Sequence, residues 1–291
     1  MKKLLLLALV GGFLAGCLQK PPTDPKEALK RVDERIYYQS QNGLKSLSCQ
    51  VSSPYIEEML EKLEEDIPGI EQILDRVRVE TRFYWKSGEG AKFVIKNLPE
   101  ELPALRDSVK QVFQGTEILI VPPSEAKQFE EFHLSMKNLG ARIEITGDNF
   151  DPKAEFQQYV LVVNPKNWKI LEKKFKGRDF ISYSKPEYKS YKGKWYLSRM
   201  DTLQDKTGSG QPNFQMLVEL SYQEQEKFLL LKELSYKITV AKTGERVVGP
   251  VQLVFTDCKL NPPMPLDFFK TGYIELQNKS YSESPNSSEG P

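Results

Sequence analysis

A long succession of short segments with period-two alternation constrains this fold more than any other feature of the sequence. The first runs from Arg76 to Lys86, and later ones cover residues 214–220 and 234–240. Such alternation is typical of antiparallel strands with one buried face. Turn sequences rich in Gly, Asn and Lys separate the segments, at residues 87–90, 164–167, 191–194, 207–210 and 243–245. About nine to eleven strands are predicted, too many for a flat open sheet.

In three other segments, apolar residues recur with helical spacing. Asp24-Pro25-Lys26-Glu27 is typical of a helix start, with Asp24 at the N-cap and Glu27 placed for a capping box, and this helix is predicted to reach Gln41. A second helix is expected from Ser53-Pro54. Residues 99–137 are predicted to be helical with a break at Pro122-Pro123. The predicted fold is therefore α+β: a strongly curved antiparallel sheet with helices against a single face.

The N-terminus indicates export. Residues 1–16 combine two lysines, an apolar run and small residues, as a signal peptide does. Leu14-Ala15-Gly16-Cys17 resembles the lipobox of bacterial lipoproteins, in which the cysteine is acylated and becomes the first mature residue. The alternatives are a secretory leader with a chance cysteine and a transmembrane anchor. A transmembrane anchor is excluded because the apolar run is shorter than the roughly 20 residues that a membrane-spanning helix needs.

The lipobox sets the expected location and boundaries. Residues 17–25 would form a lipidated tether, residues 26–276 a single domain, and residues 277–291, almost without apolar side chains, a disordered tail. In the lipoprotein family that the motif resembles, Leu18 after Cys17 implies delivery to the outer membrane, facing the periplasm. Membrane attachment through Cys17 is thus one predicted partner interaction.

Export also affects how the other cysteines are interpreted. Cys49 and Cys258 lie in two predicted strands near opposite ends of the domain. Thiols outside the cytoplasm commonly pair. A disulfide between them and two unpaired buried thiols are both compatible with the sequence.

Composition argues against most catalytic classes. Lys plus Arg total 41 against 40 Asp plus Glu, a balance that disfavours a dedicated nucleic-acid binder. His133 is the single histidine, and Gly208-Ser209-Gly210 lacks the spacing of a serine nucleophile elbow. The carboxylates of Glu130 and Glu131 are adjacent in sequence and would point apart on a helix. No enzyme activity, metal or cofactor is therefore predicted.

One hairpin interleaves aromatic residues with cations and suggests an anionic partner. Its members are Tyr183, Lys185, Tyr188, Lys189, Tyr191, Lys192, Lys194, Trp195 and Tyr196. In an exported protein such a surface could contact lipid headgroups or a polysaccharide. The alternative is an exposed hairpin whose lysines simply reach into solvent.

The order of elements resembles the LolA/LolB-like family of envelope proteins that carry or receive lipoproteins. The resemblance covers about residues 26–269. It includes the amphipathic first helix, the strand at residues 44–51, and the late segments 193–200 and 253–261 ahead of Pro265 and Phe268-Phe269. It implies an unclosed barrel whose concave apolar face is covered by helices and whose ligand is an acyl chain.

The resemblance and the alternation together predict a ligand site on the concave face. Its expected lining consists of inward-facing apolar residues: Val79, Phe83, Trp85, Phe93, Ile95, Phe214, Met216, Val218, Tyr236 and Ile238. The predicted function is a lipid-anchored envelope protein that binds an acyl chain, such as a palmitoyl or diacylglycerol group, or lipoprotein lipid, in lipoprotein sorting to the outer membrane. The alternative is a structural lipoprotein that docks a protein or glycan and has no ligand cavity.

Overall fold

The computed structural model describes residues 22–66, 70, 79–206, 212–265, 267–270 and 272–277. The predicted signal peptide, Cys17, residues 76–78 of the first long alternating segment, Ser209 and residues 278–291 of the predicted tail lie outside this part. Within it, no helix is long and apolar enough to cross a membrane.

Thirteen strands in the described residues form one sheet. Their bounds are β1 Ser46–Ser52, β2 Glu80–Lys86, β3 Gly90–Lys96, β4 His133–Asn138, β5 Ile143–Asp148, β6 Phe156–Val163, β7 Ile170–Gly177, β8 Ile181–Tyr191, β9 Lys194–Asp205, β10 Phe214–Gln225, β11 Phe228–Val240, β12 Arg246–Leu260 and β13 Ile274–Gln277. The helices are α1 Pro25–Arg35, α2 Pro54–Asp66, α3 Pro103–Phe113, α4 Glu117–Ile120 and α5 Glu125–Gln128, with a 3-10 turn at Ser40–Asn42.

The sheet is open. Its strand order is β13-β3-β2-β1-β12-β11-β10-β9-β8-β7-β6-β5-β4, so β13 and β4 form two edges that do not pair with each other. Every pairing is antiparallel except that of the short β13 with β3. The predicted unclosed sheet is confirmed, with one parallel edge strand added.

The register places one continuous row of side chains on a single face, which we call the inner face. From β5 to β12 the paired residues are Ile145, Leu161, Lys173, Ser184, Thr202, Met216, Ile238 and Val248. The helices pack on this face, as predicted, because their apolar stripes meet inward residues of the strands.

Two apolar clusters share the inner face. The first joins α2, α3 and α4 to β1–β3 and β10–β12, with Phe83, Phe93 and Phe113 at its centre. The second joins α1 to β5–β7 around Tyr159 and Leu161. Strands β8 and β9, in the middle of the sheet order, contribute no buried residue to either cluster.

Several sequence predictions need correction. The first helix ends at Arg35 rather than Gln41, because Ile36 adopts an extended conformation and bridges to Trp195 of β9. Asp24 Oδ1 does cap this helix, accepting a hydrogen bond from Lys26 N at 3.0 Å, but Glu27 pairs with Arg31 instead of closing a capping box.

Two strands were missed in the sequence. Residues 133–138, placed in a helical region, form β4, an edge strand with mostly exposed side chains and hence a weak apolar pattern. Gln277, placed in the tail, ends β13. Within residues 99–137 helical structure is confirmed for α3, whose residues Leu105, Val109, Val112 and Phe113 are all buried.

A disulfide joins the two cysteines whose pairing the sequence alone does not determine. Cys49 of β1 and Cys258 of β12 are bonded across a sequence separation of 209 residues. The bond lies at a β-bulge, where the register between the two strands shifts between Ser48 and Gln50. It holds two neighbouring strands rather than the two edges of the sheet.

The residues after β12 fasten the chain end to the first strands. Asn261 has a φ of 51°, and its Oδ1 accepts hydrogen bonds from Lys45 N at 2.7 Å and Ser46 N at 3.3 Å. The buried Lys92 of β3 donates to the carbonyl oxygen of Phe268 at 2.8 Å and forms an ion pair with Glu275 of β13. These contacts stabilise the β13 edge of the sheet.

Candidate functional site

A hollow of about 450 Å³ lies on the inner face over the strands between the two apolar clusters. We call it the seam hollow. Its walls come from the chain after α1, the α4–α5 region and strands β6–β10. The lining residues are Ile36, Tyr37, Tyr38, Gln39, Ile118, Leu119, Pro122, Pro123, Glu125, Gln128, Phe132, Phe156, Lys173, Phe175, Phe180, Ser182, Ser184, Pro186, Tyr188, Tyr196, Leu197, Met200 and Tyr222.

Strand alternation supplies the floor of the seam hollow. Every second residue of β8 faces it, beginning at Ser182 and ending at Tyr188. Small side chains at Ser182 and Ser184 leave space where a larger residue would fill it. The hollow therefore exists partly because the middle of the sheet carries small inward residues while the two clusters carry large ones.

The segment that follows α1 forms one wall. Tyr37 N donates a hydrogen bond to the carbonyl oxygen of Trp195 at 2.7 Å, and the Tyr37 hydroxyl accepts one from Leu229 N at 2.9 Å. Gln39 Nε2 donates to the carbonyl oxygen of Leu229 at 3.2 Å. These contacts bind the segment to β9 and β11, so this wall is held at both sides.

A buried ion pair lies at the opposite wall. Lys173 Nζ is 2.5 Å from Glu125 Oε1, and the Tyr159 hydroxyl donates to Glu125 Oε2 at 2.5 Å. The Glu125 side chain is only 4% exposed and that of Lys173 14%. Burial and the charge of Glu125 raise the pKa of Tyr159 well above its ordinary value, so this phenol remains a donor.

Asp33 supports this wall from α1. Its Oδ1 accepts hydrogen bonds from Tyr38 OH at 2.9 Å and from Glu125 N at 2.8 Å, and its Oδ2 accepts one from Ala126 N at 3.0 Å. Burial raises the pKa of Asp33, with the hydrogen bonds opposing the shift. Asp33 thereby fixes the position of Glu125 at the wall of the hollow.

A second hollow of about 400 Å³ continues along the inner face. It shares Ser182, Ser184 and Met200 with the seam hollow, so the two meet along β8 and β9. Its other lining residues are Thr202, Gln204, Lys206, Phe214, Met216, Ile238, Val247 and Val248. Lys206 lies over the ring of Phe214, with Nζ 5.4 Å from the ring centroid.

The ten residues predicted to line a ligand site divide into two groups. Three of them, Phe214, Met216 and Ile238, line the second hollow. The other seven line neither hollow and belong to the first apolar cluster or pack against it: Val79, Phe83, Trp85, Phe93, Ile95, Val218 and Tyr236.

Helix α3 covers the inner face over β2 and β3. The ring of Phe113 lies 4.8 Å from that of Phe93, which in turn lies 5.2 Å from that of Phe83. Side chains of the helix therefore occupy the space that a ligand would need over β2 and β3.

The seam hollow itself was missed in the sequence. Its aromatic lining includes Tyr188, Tyr196 and Tyr222, and Phe175 adds a further ring. The alternation Ser182, Ser184, Pro186 and Tyr188 was the available signal, but this hairpin was interpreted through its exposed lysines. Burial raises the pKa of Tyr188 well above its ordinary value, with Glu125 as a further cause.

One cation of the same hairpin is paired with a carboxylate. Lys192 Nζ pairs with Glu224 at 2.7 Å, which raises the pKa of Lys192 above its ordinary value. The β8–β9 hairpin thus contributes both small polar and aromatic residues to the hollow, and one of its lysines is paired with an acidic residue.

His133 is exposed in the edge strand β4, and its ring centroid is 5.0 Å from that of Phe150. The described residues contain no group of three or more His, Cys, Asp or Glu side chains that could hold a metal ion.

The solved structures similar to this chain include the following two. One is a domain assigned to outer membrane lipoprotein sorting from Vibrio parahaemolyticus, with 11% identity, 84% of this chain and 96% of that chain covered, and a TM-score of 0.33. The other is a LolA superfamily protein from Nitrosomonas europaea, with 14% identity, the same coverage and a TM-score of 0.35. No protein-family model and no curated protein matches the chain.

Proposed function

We propose that this protein binds an acyl chain, or the lipid part of a lipoprotein, in the seam hollow and its continuation, without covalent chemistry. The observation that carries the proposal is a hollow of about 450 Å³ on the inner face, between two packed apolar clusters. This volume lies within the roughly 300–1,000 Å³ of typical ligand pockets. The second hollow extends the space along β8 and β9, which suits a long and narrow ligand.

The lining provides the energy for such binding. Rings of Phe132, Phe156, Phe175 and Phe180, together with Met200, supply apolar contact area. Each methylene transferred from water into these contacts contributes about 0.8 kcal/mol. An acyl chain needs no directional bonds, so a few polar groups suffice to place its polar end.

The lipobox supports the cellular part of the proposal. Acylation of Cys17 after removal of residues 1–16 would attach the protein to a membrane, with residues 18–25 as a tether. We propose attachment to the outer membrane, facing the periplasm, and a part in lipoprotein sorting. Mass determination of Cys17-containing peptides from native membranes tests the acylation.

Ligand binding can be tested on the full chain carrying Cys17→Ser, which cannot be acylated at that position. A fluorescent fatty-acid analogue is titrated into this protein, and unlabelled palmitate or a diacylglycerol is used to displace it. Saturable binding with displacement supports the proposal. The absence of saturable binding at high micromolar protein contradicts it.

A matched pair of variants tests where the ligand binds. Met200→Trp adds an indole at a residue shared by both hollows, whereas Leu203→Trp adds the same group on the outer face of the same strand, where Leu203 is 37% exposed. Met200→Trp is expected to weaken probe binding by about tenfold or more, while Leu203→Trp leaves it unchanged. Equal effects of the two variants would place the ligand elsewhere.

A further inference from the structure

The floor of the second hollow becomes polar along β9. Every second residue of the last part of this strand, and the residue that follows the strand, line the hollow: Met200, Thr202, Gln204 and Lys206. Thr202 and Gln204 lie opposite Ser184 and Ser182 of β8 in the register. Met200 also lines the seam hollow, whereas Lys206 lines only the second hollow. The floor therefore changes from apolar at Met200 to polar and cationic at Lys206.

The other side of the second hollow is apolar. In the pairing of β9 with β10, Phe214 lies opposite Gln204 and Met216 lies opposite Thr202. Further apolar lining residues from β11 and β12 are Ile238, Val247 and Val248. The second hollow therefore has a polar side, formed by β8 and β9, and an apolar side, formed by β10–β12. A space with two such sides suits the part of an amphiphile where the acyl chain meets the polar head.

Lys206 is held at the polar side through its backbone. Its N–H donates a hydrogen bond to Asn213 Oδ1 at 3.0 Å, and Asn213 N donates to the carbonyl oxygen of Gln204 at 2.9 Å. The Lys206 side chain is exposed, and its Nζ lies 5.4 Å from the centroid of the Phe214 ring, which also lines the hollow. The ammonium group therefore lies beside the apolar side of the hollow and is accessible from solvent.

The charge of Lys206 is not compensated within the described part of the chain. No other described lining residue of the second hollow is charged. Lys206 forms no ion pair with another described residue, whereas Lys173 of the seam hollow is paired with Glu125 at 2.5 Å. Asp205, which precedes Lys206 in the sequence, lines neither hollow. An ammonium group beside apolar walls attracts an anion more strongly than one surrounded by water.

We propose that the ligand is an anionic amphiphile whose carboxylate or phosphate group accepts a hydrogen bond from Lys206 Nζ, and whose acyl chain extends past Met200 into the seam hollow. Hydrogen bonds between an ammonium group and a carboxylate or phosphate are stronger than those between uncharged groups. An amphiphile with an uncharged head lacks this interaction and retains only the burial of its acyl chain. This inference rests on the proposed function and adds the charge of the head group and the orientation of the ligand.

Two pairs of lauroyl ligands test the head group while the acyl chain stays the same. Laurate is anionic and monolauroylglycerol is uncharged. Lauroyl lysophosphatidylglycerol is anionic, whereas lauroyl lysophosphatidylcholine balances the same phosphate with a quaternary ammonium group. Each ligand, below its critical micelle concentration, is used to displace the fluorescent probe from the Cys17→Ser chain at neutral pH and low salt.

The anion of at least one pair is expected to bind about 3- to 10-fold more tightly than its partner. The pair with the larger ratio identifies the head group as carboxylate or phosphate. Raising the salt concentration should lower this ratio, because the charge of Lys206 is exposed and is screened by ions. The salt dependence is measured without any substitution at Lys206.

Matched lysine variants test whether Lys206 causes the preference. Lys206→Gln removes the ammonium group at the second hollow. Lys237→Gln makes the same change at another exposed lysine, which precedes the lining residue Ile238 in β11 and lines neither hollow. Lys206→Gln should lower the affinity for the anion and bring the ratio within each pair to about one. Lys206→Arg and Lys237→Gln should both preserve the ratio.

The outcomes separate this inference from the proposed function. If none of the four ligands displaces the probe, the proposed function is contradicted. If the ligands displace it but neither anion binds more tightly than its partner, acyl binding stands and the inference fails. A preference for the anion that Lys206→Gln leaves unchanged also overturns the inference, because the head group would then lie at another donor, such as the Tyr37 hydroxyl of the seam hollow.

Discussion

The hydroxyl of Tyr236 in β11 donates a hydrogen bond to the carbonyl oxygen of Val112 in α3, at 2.9 Å. Val112 is the second-last residue of the helix, where carbonyl groups have no partner within the helix. Tyr236 thus ties the end of α3 to the inner face of the sheet. This bond helps to keep α3 over the first apolar cluster, which is why that cluster is filled.

Tyr236→Phe should therefore destabilise the fold without affecting the hollows. Loss of this hydrogen bond is expected to lower the free energy of unfolding by about 0.5–1.5 kcal/mol. Urea denaturation measures the change, and Tyr183→Phe, at a side chain 45% exposed, serves as the control with no expected effect. Because Tyr236 lines neither hollow, probe binding should stay the same; a large loss of binding would contradict the assigned site.

The disulfide should contribute a large part of the stability. Replacing Cys49 and Cys258 together by alanine is expected to lower the free energy of unfolding by about 2–5 kcal/mol, since the bond closes a loop across 209 residues. Reductant should destabilise the original chain by a similar amount and leave the double variant unaffected. A reductant effect that persists in the double variant would assign the stabilisation to another thiol.

Asp33 should make stability depend on pH in a defined direction. Its pKa is raised by burial from the ordinary value of 3.8, so the folded state binds its proton more tightly than the unfolded state. The contribution of Asp33 to the free energy of unfolding is thus greatest at low pH and is lost as pH rises through the raised pKa.

Asp33→Asn removes this titration while keeping the size of the side chain. The difference in unfolding free energy between the original chain and the variant should therefore fall with increasing pH above 3.8. Denaturant titrations at a series of pH values measure it. A difference that is flat, or that grows with pH, would contradict the assigned burial of Asp33.

Much of the fold could be predicted because its main signals are local. Alternation over residues 79–86 identified β2, and Asp24 before Pro25 identified the start of α1. The missed strands carry weak local signals: β4 is an edge strand with few buried residues, and β13 has four residues. Their place in the sheet depends on partners that are distant in sequence.

The site was harder to predict for the same physical reason. Phe83 and Tyr188 both alternate with outward residues in their strands, so the same local pattern accompanies a residue of the packed cluster and a residue of the hollow. The two residues differ in whether a helix residue such as Phe113 packs against the ring. The path of the chain through residues 97–130 determines where such helix residues lie. Alternation identifies the inward face of a strand but not the part of that face which the helices leave uncovered.

The bond between Cys49 and Cys258 also determines the products of proteolytic cleavage. Strands β2 to β11 and four of the five helices in the described residues lie between the two cysteines. A single backbone cleavage anywhere in that span leaves both fragments covalently joined, so a nicked molecule would keep its N-terminal segment attached to every strand. Separation of the pieces would require a second cut or a reducing agent.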